Sequence, residues 1–184
     1  MKEQRLFKIL IGGDAAVGKT TLLYRYVDGI FKNDTTMTVG VEVRVKEVEL
    51  ESTKCQLQLW DLGGQQRFRF LMSNYVPGAN GGVVLFDTTS MSSFVNIKKW
   101  TQLFRHKNKS LPIILVATKC DLEAYSIVKD YYANLKRKQL NMLDYIKTSA
   151  KTGLNVDTVF KSLAQTLIDN EKKGKKRKSL SKRD

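Results

Sequence analysis

Residues 13–20 read G-D-A-A-V-G-K-T, a G-x-x-x-x-G-K-[ST] pattern set between a short apolar run and an amphipathic stretch. Such spacing suits an anion. Gly13 and Gly18 permit a tight turn whose successive backbone N–H groups point inward, and the helix that follows adds the partial positive charge of its N-terminus. Asp14, Ala15, Ala16, Val17 and Gly18 then form the cradle, Lys19 is the cation for β- and γ-phosphates, and Thr20 offers a hydroxyl to Mg²⁺, with Thr21 leading into the helix. An ordinary Gly-rich turn would match every fixed letter and both flanks only by accident. The pattern implies a nucleoside di- or triphosphate as ligand.

Two further constellations follow at strand ends. Residues 60–65 read W-D-L-G-G-Q, which puts Asp61 at the C-terminal edge of a strand, where a carboxylate faces the ligand crevice of an open α/β sheet and can hold a Mg²⁺-bound water. The Gly64 N–H can approach a γ-phosphate, and Gln65 can orient an attacking water. Residues 118–121 read T-K-C-D after the apolar run I-I-L-V-A. There Asp121 can accept both the ring N–H and the amino group of guanine, while the stem of Lys119 covers the base plane. Adenine would leave that carboxylate without its partners, a mismatch that can reject an analogue by up to about 10⁴–10⁵. Residues 148–151, T-S-A-K, close the last strand, where the Ala150 N–H can reach the guanine carbonyl. Alone, D-x-x-G or T-K-C-D is often just a turn; order and spacing give them weight.

In this order the stretches resemble the Ras-like small GTPases, and within them the Rab branch. The resemblance runs from residue 7 to about 168 and includes T-V-G-V-E around Thr38, L-Q-L-W-D-L-G-G-Q-Q-R-F, S-N-Y-V-P-G-A-N-G, K-C-D-L and T-S-A-K-T-G-L-N-V. It implies a P-loop small G-protein that binds GTP and GDP with Mg²⁺ and slowly hydrolyses GTP to GDP and phosphate. Thr38 would be the switch threonine that ligates Mg²⁺ with Thr20 and senses the γ-phosphate. Phe31 would pack edge-on against guanine, and Thr118, Ser149 and Lys151 would complete the base site. Lys19, Thr38 and Gln65 would support catalysis. An exchange factor, a GTPase-activating protein and effectors would bind through switch I and switch II, and the protein would be a monomer. Some residues depart from the pattern: Thr118 stands where asparagine is usual, Leu62 and Gly63 are similar to the Arf branch, Gln66 replaces a glutamate, and Val43 replaces the phenylalanine of an aromatic triad that Trp60 and Tyr75 match. This mixture would suit a deeply branching prokaryotic or archaeal member. No arginine is evidently placed to act in cis; Arg67 and Arg69 fit a solvated switch surface.

The elements that must position these residues alternate along the chain. Apolar runs at 7–11, 41–50, 56–60, 82–86, 113–117 and 145–148 are separated by helical patterns, which implies βα units wound into an α/β fold. Val41, Val43 and Val45 alternate with charged residues, and Leu57 and Leu59 with glutamines, so this pair is expected to form an antiparallel edge hairpin. The expectation is a six-stranded, mostly parallel sheet with one antiparallel edge strand and helices on both faces. Helical stripes are Leu22, Leu23, Tyr26, Val27; Phe94, Ile97, Trp100, Phe104; Val128, Tyr131, Tyr132, Leu135; and Val156, Val159, Phe160, Leu163, Ala164, Leu167, Ile168, the last with Asn155 as N-cap. All are expected in the core. Residues 29–38 carry no strong pattern and are expected to form a loop.

A chain of 184 residues fits one domain. We expect a GTP-binding domain over 1–170 and a disordered polybasic tail over 171–184, which holds eight Lys/Arg and two acids, or +6 of the formal +14. That tail could make weak contact with an anionic membrane. Cys55 and Cys120 lack metal-ligand spacing and read as reduced residues of a cytoplasmic protein. From the Met-Lys start we expect no myristoylation, and from the last four residues, which contain no cysteine, no prenylation. The basic excess leaves one alternative function, a nucleotide-dependent nucleic-acid-binding or scaffolding protein. A nucleotide kinase would need an arginine-rich lid that no insertion supplies.

Overall fold

The computed structural model of the protein describes residues 5–32, 38–50, 53–65 and 72–180, with side chains up to residue 174. Gln66, Arg67, Arg69 and residues 33–37 of the expected loop lie outside the described residues. In chain order the elements are β1 (Arg5–Gly12), α1 (Lys19–Asp28), β2 (Val41–Leu50), β3 (Thr53–Leu62), β4 (Gly81–Asp87), α2 (Met91–Val95), α3 (Ile97–Phe104), β5 (Ile113–Thr118), α4 (Asp130–Gln139), β6 (Asp144–Lys147) and α5 (Val156–Leu180). They form one sheet in the order β2-β3-β1-β4-β5-β6. Every neighbouring pair is parallel except β2–β3. From β1 the sheet grows to β3 on one side and β4 on the other, which makes the C-terminal end of β1 a topological switch point, the place where open α/β sheets bind ligands.

The period-2 pattern of β1 divides the core. Phe7, Ile9 and Ile11 face α1 and α5, where Leu22, Leu23, Phe160 and Leu163 close the layer. Leu10 faces the other side, with Val84, Phe86, Trp100 and Phe104. On the first side Tyr26 stacks on Phe160 with ring centroids 3.9 Å apart. The edge hairpin forms as its alternation implies, with Val43 and Val45 exposed on β2. β3 is nevertheless an interior strand, in parallel register with β1 along its length, from Arg5↔Cys55 to Ile11↔Asp61.

Three expectations need correction. Val128 is buried, but Tyr131, Tyr132 and Leu135 are exposed by 72%, 55% and 42%. The inward stripe of α4 is instead Ala133, Lys136, Arg137 and Leu140: a small residue lets the helix sit close, and the long cations bury their stems, Lys136 over Phe94 and Arg137 reaching the Met142 carbonyl. Asn155 stands before α5 in a left-handed conformation, φ 53°, and its amide donates to the Lys147 carbonyl rather than capping the helix. The third difference is the tail up to residue 180, its last four residues lying outside the described ones. α5 continues to Leu180, because lysine and arginine are good helix formers and cations near a helix C-terminus meet its partial negative charge. An Arg5–Glu171 ion pair of 3.1 Å ties its first residue beyond 170 to the start of β1.

The second layer contains a tight wedge. A Cβ at Gly82 would lie 2.7 Å from the ring of Phe104, which is fully buried. Gly82→Ala should therefore destabilise the protein by about 1–3 kcal/mol through overpacking, seen as a lower urea midpoint with an unchanged m-value; an unaltered midpoint would show that the layer can yield.

Candidate functional site

The switch point is closed by residues 13–18 between β1 and α1. Gly18 takes φ 92° immediately before the helix, a left-handed turn that glycine adopts without steric cost. Ala16 is also left-handed, at φ 62°, which costs a residue with a Cβ on the order of 1–2 kcal/mol. The loop curls around the head of Lys19. Lys19 is 5% exposed, and its ammonium donates to the carbonyls of Gly13 and Asp14, each at 2.9 Å. The Asp14 carboxylate turns the other way, accepting from Asn96 Nδ2 at 2.6 Å and Trp100 Nε1 at 2.9 Å. Asp14 thus shapes the cradle by its backbone and ties it to α3.

Three oxygens meet beside the loop. Thr20 Oγ1 donates to Asp61 Oδ2 at 2.5 Å and lies 2.8 Å from Thr38 Oγ1. Asp61 is almost fully buried, and its Oδ1 has no hydrogen-bond partner. Burial pushes its carboxyl up from the usual aspartate range, against the hydrogen bond from Thr20 and the charge of Lys19. Two hydroxyls and a desolvated carboxylate with a spare oxygen are the hard donors that Mg²⁺ takes, with water and phosphate completing its octahedron. The residues present fit that ion, and Thr20, Thr38 and Asp61 are the ones that could hold it. Gly64 follows at close quarters, because a Cβ there would run into the backbone of Asp14 and Ala15. Gln65 is half-buried at the edge of this group.

The other end of the site comes from β5 and β6. Thr118, at the end of β5, is buried and gives its hydroxyl to the Val17 carbonyl at 2.6 Å and the Phe86 carbonyl at 3.1 Å. It braces the cradle from behind. Lys119 follows at φ 59°, its ammonium 2.6 Å from Asp87 Oδ2. Asp121 Oδ1 accepts from Ser149 Oγ at 2.6 Å, which orients the carboxylate at the cleft wall. The 148–151 loop is held in turn by Thr148 on the Ala117 carbonyl and by Arg25, whose Nε donates to the Ala150 carbonyl at 2.6 Å.

A cleft of about 490 Å³ runs between the two ends. Ala15, Ala16, Gly18, Lys19, Thr20 and Thr21 line one end, with Thr38 and Gly64 beside them. Thr118, Lys119, Asp121, Ala150 and Lys151 line the other, and Phe31 closes a side. Asp14, Val17, Asp61, Gln65 and Ser149 stand outside the lining: Val17 and Ser149 act as braces, and Asp61 sits behind Thr20. Sequence reasoning missed Leu22, Lys32, Leu122 and Thr148, which also line the cleft, and the supports Arg25, Asp87, Asn96 and Trp100. Asp87 had a signal, a carboxylate ending the buried run G-G-V-V-L-F, and Leu122 and Thr148 lie inside the K-C-D-L and T-S-A-K stretches themselves; Arg25, Asn96 and Trp100 had none.

Comparison with known proteins agrees with this geometry. The Ras family model matches residues 8–169. The chain is 36% identical over 165 residues to the Ras-related protein Rab-10 of Diplobatis ommata, covering 89% of this chain and 82% of that protein. It is 37% identical to the Ras-related protein Rab-13 of Bos taurus, over 89% of this chain and 80% of that protein. To the GTP-binding protein YPT1 of Saccharomyces cerevisiae it is 35% identical, over 90% and 80%. The match takes in both ends of the cleft and every strand but the first residues of β1, so the chain belongs to the Ras family of small GTPases, among its Rab-like members.

Proposed function

We propose that the protein is a GTP-binding switch of Rab-like trafficking, which binds GTP and GDP and slowly hydrolyses GTP. The observation that carries this reading is the single cleft with Lys19 at one end and Asp121 and Ala150 at the other. Phosphates belong at the first end and a guanine at the second. Asp121, held by Ser149, takes the ring N–H and the amino group of the base, and the Ala150 N–H takes its carbonyl. Asp87 draws the Lys119 head aside, which stretches the lysine stem along the floor where the base would lie.

Mg²⁺, when bound by Thr20, Thr38 and the water on Asp61, would supply charge to neutralise the β- and γ-oxygens. Lys19 and the loop hold those phosphates in line. Gln65 orients a water for attack on the γ-phosphorus, and the oxygen bridging to the β-phosphate leaves with GDP. Family members of this kind act with regulators and effectors, which here would meet the segments around Thr38 and Gln65. The cations after residue 170 would add a reversible tether to anionic lipid. At about 1 kcal/mol each, a net +6 over 171–184 sets an upper limit near 6 kcal/mol before screening.

Asp121→Asn should exchange preference from GTP to xanthosine triphosphate, whose base carries a carbonyl in place of the amino group, with a swing of up to about 10⁴. Competition binding measures it, and equal affinity of the unmodified protein for ATP and GTP would refute the base assignment. Gln65→Leu removes the water-orienting amide and leaves the phosphate contacts. Single-turnover hydrolysis should then fall by about tenfold or more while GTP affinity stays within a few-fold; an unchanged rate rejects the role. For the tether, a chain ending at Asn170 should lose binding to phosphatidylserine vesicles that the full chain shows at low salt, and equal binding by both removes the idea.

A further inference from the structure

Arg25 is the one α1 side chain that reaches both walls of the base end among the described contacts. Its guanidinium spreads three ways: Nε to the Ala150 carbonyl at 2.6 Å, Nη2 to the Lys151 carbonyl at 2.6 Å and Nη1 to the Gly29 carbonyl at 2.9 Å. The first two bonds fix consecutive peptide planes just past Ala150. A planar fork suits this, since its donors are rigidly related and the hydrogen bonds are charge-assisted. The third bond, with the Gly29 N–H returning to the Arg25 carbonyl at 3.1 Å, secures the turn that ends α1 two residues before Phe31. Phe31 and Ala150 line the same cleft, and Arg25 is not itself part of that lining.

We infer that Arg25 is a positioning residue for nucleotide retention, a latch that holds the Ala150 loop in register with the guanine carbonyl and joins it to the start of the segment bearing Phe31. Through it the two walls move together: the 29–32 turn cannot swing outward without releasing the Ala150 and Lys151 carbonyls or leaving Gly29 behind. Charge-assisted bonds of this kind are where a change from arginine to lysine is not conservative. The inference rests on the guanine reading of the cleft, in which the Ala150 N–H meets the base carbonyl.

The test compares release of three nucleotides from the Mg²⁺-loaded full chain. GDP has every base group; 6-thio-GDP keeps the ring N–H and amino group but carries a poorly accepting sulfur where Ala150 would bond; IDP lacks the amino group that Asp121 would accept. Arg25→Met keeps the aliphatic stem, and Arg25→Lys keeps a charge and one donor. Arg25→Met should release GDP faster by about tenfold, the loss of one charge-assisted bond's worth of retention. The difference between GDP and 6-thio-GDP should collapse, while the difference between GDP and IDP persists. Arg25→Lys should fall between the two proteins, and both variants are checked for an intact fold by circular dichroism. Unchanged GDP release, or an equal acceleration of all three nucleotides, overturns the latch and leaves Arg25 a merely structural residue. If the unmodified chain releases GDP and 6-thio-GDP alike but still separates GDP from IDP, the Ala150 contact is absent and the latch falls with it. If it separates neither, the guanine reading itself has failed.

Discussion

A buried ammonium sets the terms for the site. Lys19 is 5% exposed and its Nζ is oriented by the carbonyls of Gly13 and Asp14. A cation at that depth is stable only among strong partners, and the loop supplies two neutral ones on one side while the cleft lies on the other. The end of the cleft proposed for phosphates brings together this charge, the N-terminus of α1 and the hydroxyls of Thr20 and Thr38. The tightness follows from the same constraint. The loop must close around a small head group, so it contains residues in left-handed conformations at Ala16 and Gly18, and Gly64 approaches the Asp14–Ala15 backbone where no Cβ fits.

Such a loop does not hold its own shape, and much of the surrounding side-chain chemistry maintains it. Thr118 reaches from the base motif to the Val17 carbonyl. Asp14 leans on Asn96 and Trp100, so α3 supports the cradle from the opposite core layer. Lys119 is drawn to Asp87, and Ser149 to Asp121. The two ends of the cleft are therefore joined by side-chain bonds. Thr118, where the resemblance has asparagine as usual, reaches the loop with its single hydroxyl oxygen.

Local signals made much of this legible in the sequence. The phosphate loop, Asp61 at a strand end and the 118–121 and 148–151 turns are each contiguous, so residue order alone places them at the C-terminal edge of the sheet. The braces are not contiguous. Asn96 and Trp100 are 82 and 86 residues from Asp14, and Arg25 is 125 from Ala150; nothing in their own neighbourhoods distinguishes them from ordinary helix residues. The phase of α4 was misread for a different reason. Tyr131, Tyr132 and Leu135 have the greater hydrophobicity, yet Ala133 is the position that lets the helix approach the sheet, and hydrophobicity does not measure closeness of fit. Likewise the glutamines of β3 suggest an edge, although the strand is interior with Gln56 and Gln58 half-buried on one face.

The length of α5 has a geometric consequence. At 1.5 Å per residue, 25 residues make a rod of about 37 Å, of which roughly 15 Å follows residue 170. A string of cations on a loose chain samples every direction and says nothing about the attitude of the body it belongs to. A helix that is packed against the sheet by Leu163, Leu167 and Ile168 and pinned by the Arg5–Glu171 pair gives its backbone beyond residue 170 a fixed bearing. Under the proposed tether, a surface that took up that end of the rod would meet the body at an angle set by the axis of α5, and the mouth of the cleft would be presented in one orientation rather than at random.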